Sequence, residues 1–413
     1  MAQNSTTFAS MLKETYTKEV IRDLTLKNQP FLNMLTKTEK GVAGQDYKIP
    51  MIVTQNTRRS CDFPTAQAAP DNVGYYAFAL TLAQDFCLAT WTGKVVRQTQ
   101  GDSEAFDAIV DAEMQRSVRA LNRSLGIKLF RTGTGSVTQI ATTAVVASTK
   151  LQLLNPSDGL HFDVGDQVVF SAADGGALRG GNAVTVTQVD RTNGILTAAA
   201  NWNASQTLIA TSDYAYKLGD AQNGTGTNVA PEGLLSYGPA STVALTNSFY
   251  GVVRSVDQQR LAFVLYDNTL KQDGIDEVLV NAVSAVMANG SPDPDAIIIN
   301  PVKFRALVNS LSSKIMRPTD SQDEASIGFG GIRLLTDIGA IKVYSDINCP
   351  EPNAFVLQMD TLELISAGPA IGVLEQDGIE ALRVYNADSY EYRMGGYMQL
   401  ACHAPGWNCT VIL

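Results

Sequence analysis

The stretch DSEAFDAIVDAEMQRSVRALNRSLGIKLFR, residues 102–131, decides how the rest of the chain is read. Phe106, Val110, Met114, Val118, Leu121 and Leu125 recur at steps of three and four, which puts them on one face of a helix, while Asp111, Glu113, Arg116, Arg119 and Arg123 occupy the other positions. Asp102 and Ser103 suit the N-cap, and Glu104 and Asp107 place negative charge where the helix dipole favours it. At 1.5 Å per residue such a helix is roughly 40 Å long, more than a small domain needs to cover its core. It reads as a strut. Gly133 and Gly135 in the following Arg131–Gly135 corner give the backbone freedom to turn sharply.

Before the strut the period changes to two. Tyr47, Ile49, Met51 and Val53 alternate, and Tyr76, Phe78, Leu80 and Leu82 answer them around a polar tip with Arg58, Arg59, Asp62, Pro64 and Pro70. Residues 45–94 therefore predict a long hairpin projecting from the body, and because an isolated ribbon is marginal in water, a partner surface is expected to cover it. Residues 1–45 carry a short amphipathic stretch through Met11, Leu12, Tyr16, Val20, Ile21 and Leu24 but hold too little apolar material for a core of their own, so an arm lying on a neighbour is expected.

After the strut, residues 137–217 are rich in Thr, Val, Ala and Gly and carry strand patterns at 167–170, 183–189 and 195–197, predicting an inserted all-β domain. A Gly/Asn/Thr-rich connector brings the chain back. Beyond it, Ile275, Val278, Leu279, Ala282, Val283 and Val286 mark a helix, Ala296–Ile299 a buried strand, and Asn300-Pro301 the start of another helix carrying Phe304, Leu307, Val308 and Leu311. Strands are expected at 341–344, 354–357 and 362–364, and alternation returns over 379–413, where the last residues read as a strand tied into a sheet. The fold class is α+β.

The composition excludes several functions. With 17% charged residues, a net charge of -10 and no Lys/Arg run, a duplex-binding face is not expected. The five cysteines, Cys61, Cys87, Cys349, Cys402 and Cys409, have no CxxC spacing, so neither a disulfide framework nor zinc is indicated, and a reducing compartment is expected. Residues 1–28 lack a signal core and no run of about 18 apolar residues occurs, so neither secretion nor membrane spanning is expected. His161 and His403 read as structural, Asp293 and Asp295 as turn formers, and the Gly175–Gly181 loop lacks the Lys-Ser/Thr of a phosphate loop. No catalytic constellation or cofactor is expected.

Taken together, the parts form a characteristic order. An arm, a hairpin and a strut ending in Leu129–Gly135 precede the β insertion; then come Asn300-Pro301, the run Gly339–Asp346, a turn with Pro350 and Pro352, and the strand at Phe355. This resembles the major capsid protein of tailed bacteriophages, the Hong Kong 97-like fold. The resemblance implies an N-terminal arm (1–45), an extended loop (46–98), a spine helix of the peripheral domain (99–136), the insertion (137–217), a peripheral/axial connection (218–289), an axial domain (290–370) and C-terminal peripheral strands (371–413). It implies a virion shell of hexamers and pentamers, assembled in the host cytoplasm around double-stranded DNA, with portal, scaffold or decoration proteins as possible partners. No long N-terminal scaffolding segment is expected before the arm, so a separate scaffold protein, or none, is expected to guide assembly, and the founding member's Lys-Asn cross-link is not transferred to Lys48, Lys94 or any other residue. An encapsulin-type nanocompartment shell, or a β-rich virion or cell-surface binding protein, stays open beside this reading. Arg58 and Arg59 at the hairpin tip are expected to meet acidic residues of an adjacent subunit, with Asp62, Tyr47, Arg116 and Arg119 as further intersubunit contact candidates.

Overall fold

The computed structural model describes residues 29–39, 46–53, 58–69, 74–94, 103–144, 146–239, 241, 245–291, 293–311, 332–336, 339–374 and 381–413. Met11 to Leu24 of the expected arm, and Asp102, lie outside the described residues. The described part of the arm is a short helix α1 (Pro30–Met34) followed by strand β1 (Thr36–Glu39). Phe31 and Leu32 of α1 are buried in the main core, where Phe31 meets Phe130 with ring centroids 5.0 Å apart.

The hairpin forms from β2 (Tyr47–Ile52) and β3 (Tyr75–Leu80), paired antiparallel with Tyr47 opposite Leu80 and Ile52 opposite Tyr75. Its inner face carries Ile49, Met51, Phe78 and Leu80 into the core, where Phe78 lies edge-on to Tyr237 and Phe249 at 6.5 and 5.7 Å. The hairpin is therefore docked at its base and does not project along its whole length. A ribbon with one apolar face gains far more by burying that face than by standing in water. A short helix, α2 (Phe63–Ala68), sits at the tip. The returning strand ends at Leu80, short of the expected Lys94. The next strand, β4 (Ala83–Thr92), runs instead along the remote β21 (Ser389–Cys402), from Ala83 opposite Met398 to Thr92 opposite Ser389.

The strut is α3 (Ser103–Lys128), 26 residues and about 39 Å long at 1.5 Å per residue. It packs on β4. The buried stripe differs from the expected one. Leu121 and Leu125 are buried as anticipated, but Val118 is 36% exposed, and Ser117 and Lys128 are buried. Ser117, Leu121, Ser124 and Lys128 follow one another at helical steps, and Ser124 and Lys128 face Asp85 of β4, whose carboxylate accepts from Ser124 Oγ at 2.7 Å and pairs with Lys128 Nζ at 3.1 Å.

Residues 137–217 build a six-stranded sheet of their own from β5 (Thr138–Gln139), β6 (Lys150–Gln152), β7 (Gln167–Ser171), β8 (Val184–Asp190), β9 (Ile195–Ala198) and β10 (Tyr214–Lys217), in the order β5-β10-β7-β8-β9-β6. A separate core, with Phe162, Phe170, Leu196 and Trp202 at its centre, draws only on residues of this segment. Trp202 is edge-on to Phe170 at 5.7 Å, and its indole N–H donates to the Thr149 carbonyl at 3.0 Å, so the ring is buried without orphaning its donor.

Entry to this segment and exit from it lie side by side. Leu234 N–H donates to Leu129 O at 2.8 Å, Gly233 to Arg131 O at 2.9 Å and Gln222 to Thr134 O at 3.1 Å. The approach is so close that a β-carbon on Gly135, whose φ is +86°, would lie 1.8 Å from the Asp220 carbonyl oxygen. Only glycine fits there.

The chain then forms a small ribbon, β11 (Ser248–Phe249) with β12 (Val252–Val253), and enters a mixed sheet. Its strands are β13 (Val264–Asp267), β14 (Ala296–Ile299), β15 (Ile332–Thr336), β16 (Gly339–Ser345), β17 (Asn353–Leu357) and β22 (Cys409–Ile412), ordered β13-β22-β17-β14-β16-β15. Helices α4 (Ile275–Ala288) and α5 (Pro301–Leu311) share its second core. Pro301 opens α5 as expected, and Asn300 Oδ1 accepts from Val302 N–H at 2.9 Å. Strand β14 is buried on both faces, Ile297 and Ile299 against the helices and Ile298 in the main core. The remaining strands, β18 (Leu362–Ser366), β19 (Gly372–Val373) and β20 (Ala381–Arg383), join β1 and β4 around the long β21. The segment 371–413 thus divides between two sheets, β21 in one and the terminal strand β22 in the interior of the other, between β13 and β17.

Candidate assembly surfaces

The contact candidates read from the sequence fall on separate elements. Arg58 and Arg59 are exposed at the hairpin tip. Asp62 is exposed too, but its carboxylate is engaged at the start of α2, accepting from Thr65 N–H at 3.2 Å and Thr65 Oγ1 at 2.6 Å. Tyr47 lies at the hairpin base, half-buried against the main core rather than at the tip. On the strut, Arg116 pairs with Glu113 at 3.0 Å in an exposed i,i+3 contact and Arg119 donates to Gln115 at 3.4 Å. Such exposed pairs contribute little to stability.

Sequence reasoning missed the apolar residues around the tip. Ile52 and Tyr75, directly opposite in register, are 68% and 69% exposed, and Phe63 of α2 is 78% exposed. The signal was present in the alternation: if Ile49, Met51 and Val53 face inward, Ile52 faces out. A second apolar strip lies on β4. Gln84, Phe86, Leu88, Thr90 and Thr92 turn outward, and Phe86 meets the half-exposed Tyr397 edge-on at 5.8 Å. Strand β4 pairs only with β21, so its second edge has no strand partner among the described residues. No Lys, Arg or Pro interrupts this ten-residue edge, and the sole charge, Asp85, faces the strut. Free-standing proteins protect such edges; a protein that assembles covers them.

Buried charge fixes the corner where strut and insertion meet. Arg131 pairs with Asp158 at 2.7 Å, with side chains 11% and 3% exposed, and Thr138 Oγ1 donates to the same carboxylate at 2.7 Å. Lys128 Nζ bridges Asp85 and Asp220 at 3.1 and 3.2 Å; burial alone would lower its pKa, but the two carboxylates outweigh burial and raise it. Arg123 pairs with Asp163, and Lys217 with Asp166 at 2.8 Å. Across the corner, Glu232 is buried and accepts from Gly133 N–H at 2.9 Å, from Ser236 Oγ and from Asn228 Nδ2. Burial lifts its carboxyl above the usual range against those hydrogen bonds and the charge of Arg254.

His161 sits in this corner, 1% exposed, with Nε2 3.8 Å from Asp158. Burial pushes its pKa down to about 3, opposed by Asp158 and reinforced by Arg131. A histidine that charges more readily unfolded than folded gives stability that is complete above pH ~6.5 and is lost as the pH falls toward 3. The expected loss is about 1.4 kcal/mol per pH unit in that window, and His161→Gln is expected to flatten it. Urea melts between pH 7 and 4 check this; an unchanged slope in the variant would overturn it.

Little else resembles a chemical site. Among the described residues no three His, Cys, Asp or Glu side chains converge as a metal group, and no helix is long and apolar enough to cross a membrane. His403 is half-exposed and bonded to Glu363 at 3.0 Å. Asp295 Oδ1 accepts from Met359 N–H at 3.0 Å, a bond across 64 residues of sequence and not within a local turn. The Gly175–Gly181 loop joins two strands, β7 and β8, with no helix after it. All five cysteines are free; Cys61 is exposed, whereas Cys349, Cys402 and Cys409 are buried, which pushes their thiols up.

No protein-family model matches the sequence, and no curated protein matches it. Solved structures do match. The capsid asymmetric unit of cyanophage A-1(L) aligns over 99% of this chain and 99% of its own, with TM-score 0.54 and 11% identity. The capsid of a native GTA particle aligns over 100% and 99%, with TM-score 0.50 and 10% identity. An encapsulin of Synechococcus elongatus aligns over 100% and 96%, with TM-score 0.47 and 9% identity. What this chain shares with the first two is the fold. It is the α+β fold of phage-type capsid proteins over the full length, as the resemblance implied.

Proposed function

We propose that this chain is a major capsid protein of a tailed phage, assembling in the host cytoplasm into hexamers and pentamers that close into an icosahedral virion shell around double-stranded DNA. The observation that carries the reading is the full-length likeness to the cyanophage capsid subunit. The exposed apolar tip and the unprotected β4 edge support it, since both call for a covering neighbour. In this reading 46–98 is the extended loop, 99–136 the spine, 137–217 an inserted domain, 218–289 the connection between peripheral and axial parts, 290–370 the axial domain and 371–413 the peripheral end, although β22 returns to the axial sheet. The role is mechanical, and portal, scaffold or decoration proteins are its expected partners beside copies of itself. Head-to-tail contacts between unlike patches close into rings, and rings tile a shell.

The test replaces residues 58–69 with a short Gly-Ser linker. The variant is expected to remain folded by circular dichroism, because no residue of this segment belongs to a core, and to form no rings or shells under negative-stain microscopy. Normal shells from the variant would sink the assembly role of the tip.

A further inference from the structure

We propose that the two opposite edges of the mixed six-stranded sheet are a matched pair, the β15–β16 edge of one copy docking against the β13 edge of the next. The proposal rests on the shell reading above and names a contact that builds the ring.

The basic edge is unusual in isolation. Arg333 of β15 lies directly opposite Lys342 of β16, both exposed. Like charges at a cross-strand pair are unfavourable. Neither has a carboxylate within ion-pair distance among the described residues, and Lys342 Nζ rests 4.8 Å from the centre of the Tyr344 ring. Beside them on the same face, two residues along the strand, Leu335 is 79% exposed.

At the other end of the sheet the signs reverse. Strand β13 ends at the exposed Asp267, the turn after it holds Leu270 at 95% exposure, and Glu277 is exposed in the first turn of α4. Lys271, the cation on that turn, is folded back over Tyr266 with Nζ 4.8 Å from the ring centre. Each edge therefore offers a large exposed leucine beside charge of one sign, and the signs are opposite. Neither outer strand has a second strand partner among the described residues.

Among the described residues, an acidic surface that could meet Arg333 and Lys342 is thus present on the same chain, but the sheet itself separates the two. With strands about 4.8 Å apart, six strands hold the edges roughly 24 Å from each other. The match can be made only between copies. Because the patches differ, the contact is head to tail, the geometry that closes into rings. Charge at its rim makes it weaken as salt rises.

Charge reversal tests this with the full chain. Arg333→Glu with Lys342→Glu is expected to melt like wild type, since both side chains are exposed. Asp267→Lys with Glu277→Lys is expected to stay folded but melt slightly lower, because Asp267 accepts from Thr269 N–H at 2.8 Å and Thr269 Oγ1 at 2.5 Å. Each pair is expected to lower the assembled fraction at least tenfold by sedimentation and negative stain. An equimolar mixture of the two variants is expected to recover six-membered rings, in which alternating copies restore every contact, whereas a five-membered ring cannot alternate and stays disfavoured. Wild-type assembly in either variant, or loss in both with no recovery in the mixture, overturns the edge pairing and leaves the shell reading standing. Rings of normal yield that only fail to retain DNA when Arg333 and Lys342 are reversed would assign the basic edge to nucleic acid and overturn the pairing too. Wild-type protein that stays monomeric under every condition overturns the shell reading and the pairing with it.

Discussion

Phe78→Ala is expected to lower stability by about 3–5 kcal/mol, the range for deleting a fully buried aromatic ring. Phe78 is 0% exposed and touches Tyr237, Phe249 and Tyr250, with ring centroids 6.5, 5.7 and 6.3 Å away. The gap left by the ring cannot be filled from the hairpin side, where Ile49 and Met51 already face the same core. The effect reaches beyond energy: β3 is the element that holds the ribbon to the body, so the variant is expected to expose the hairpin base to proteolysis at lower denaturant than wild type. Phe78→Leu keeps most of the apolar contact and is expected to lose less than half as much. Chemical denaturation with a fixed m-value measures both; a loss under about 1 kcal/mol for the alanine variant would mean the ribbon is not anchored by this ring.

Arg131→Met is the second large effect, about 3–5 kcal/mol. The guanidinium faces a carboxylate that is 3% exposed, and without it Asp158 keeps only neutral donors, Thr138 Oγ1 at 2.7 Å and Asn155 Nδ2 at 3.4 Å. An unpaired buried charge is far more costly than an absent pair, so Arg131→Met with Asp158→Leu is expected to recover most of the loss. The same change carries a second readout. Arg131 is one of the groups that hold the His161 pKa down, so its removal raises the pH at which His161 begins to protonate. A single variant no worse than the double, or a His161 titration that does not move, would contradict this account of the corner.

Much of the fold was legible because it is written locally. The stripe Val278, Leu279, Ala282, Val283 and Val286 gave α4, Asn300-Pro301 gave the start of α5, and the apolar run Ala296–Ile299 gave a strand buried on both faces. What was not legible depends on partners far along the chain. Nothing in residues 83–92 says that they pair with 389–398 instead of continuing the hairpin, because alternation specifies a face and not a neighbour. The terminal strand has the same problem: Thr410–Leu413 read correctly as a strand, but which sheet it enters is decided by β13 and β17. On the strut, an apolar stripe was the only guide available, and the buried face turned out to include Ser117, Ser124 and Lys128, of which Ser124 and Lys128 are tolerated because Asp85 satisfies them. Of the contact candidates, Arg58 and Arg59 lie at an exposed tip and Tyr47 at the hairpin base. The exposed Ile52, Tyr75 and Phe63 flank the polar residues of the tip, and an exposed aromatic is the stronger sign of a partner.

The adjacency of Gly135 and Asp220 reaches further than local packing. A chain that leaves and re-enters at one point closes its loop through the body's own hydrogen bonds, so the rest of the molecule is nearly indifferent to what the excursion contains. Doubling the length of such a loop adds only about 0.6 kcal/mol of closure entropy. The doorway formed by 129–136 and 220–235 is therefore a socket: evolution can lengthen, trade or discard the module plugged into it while the body that carries it keeps its shape.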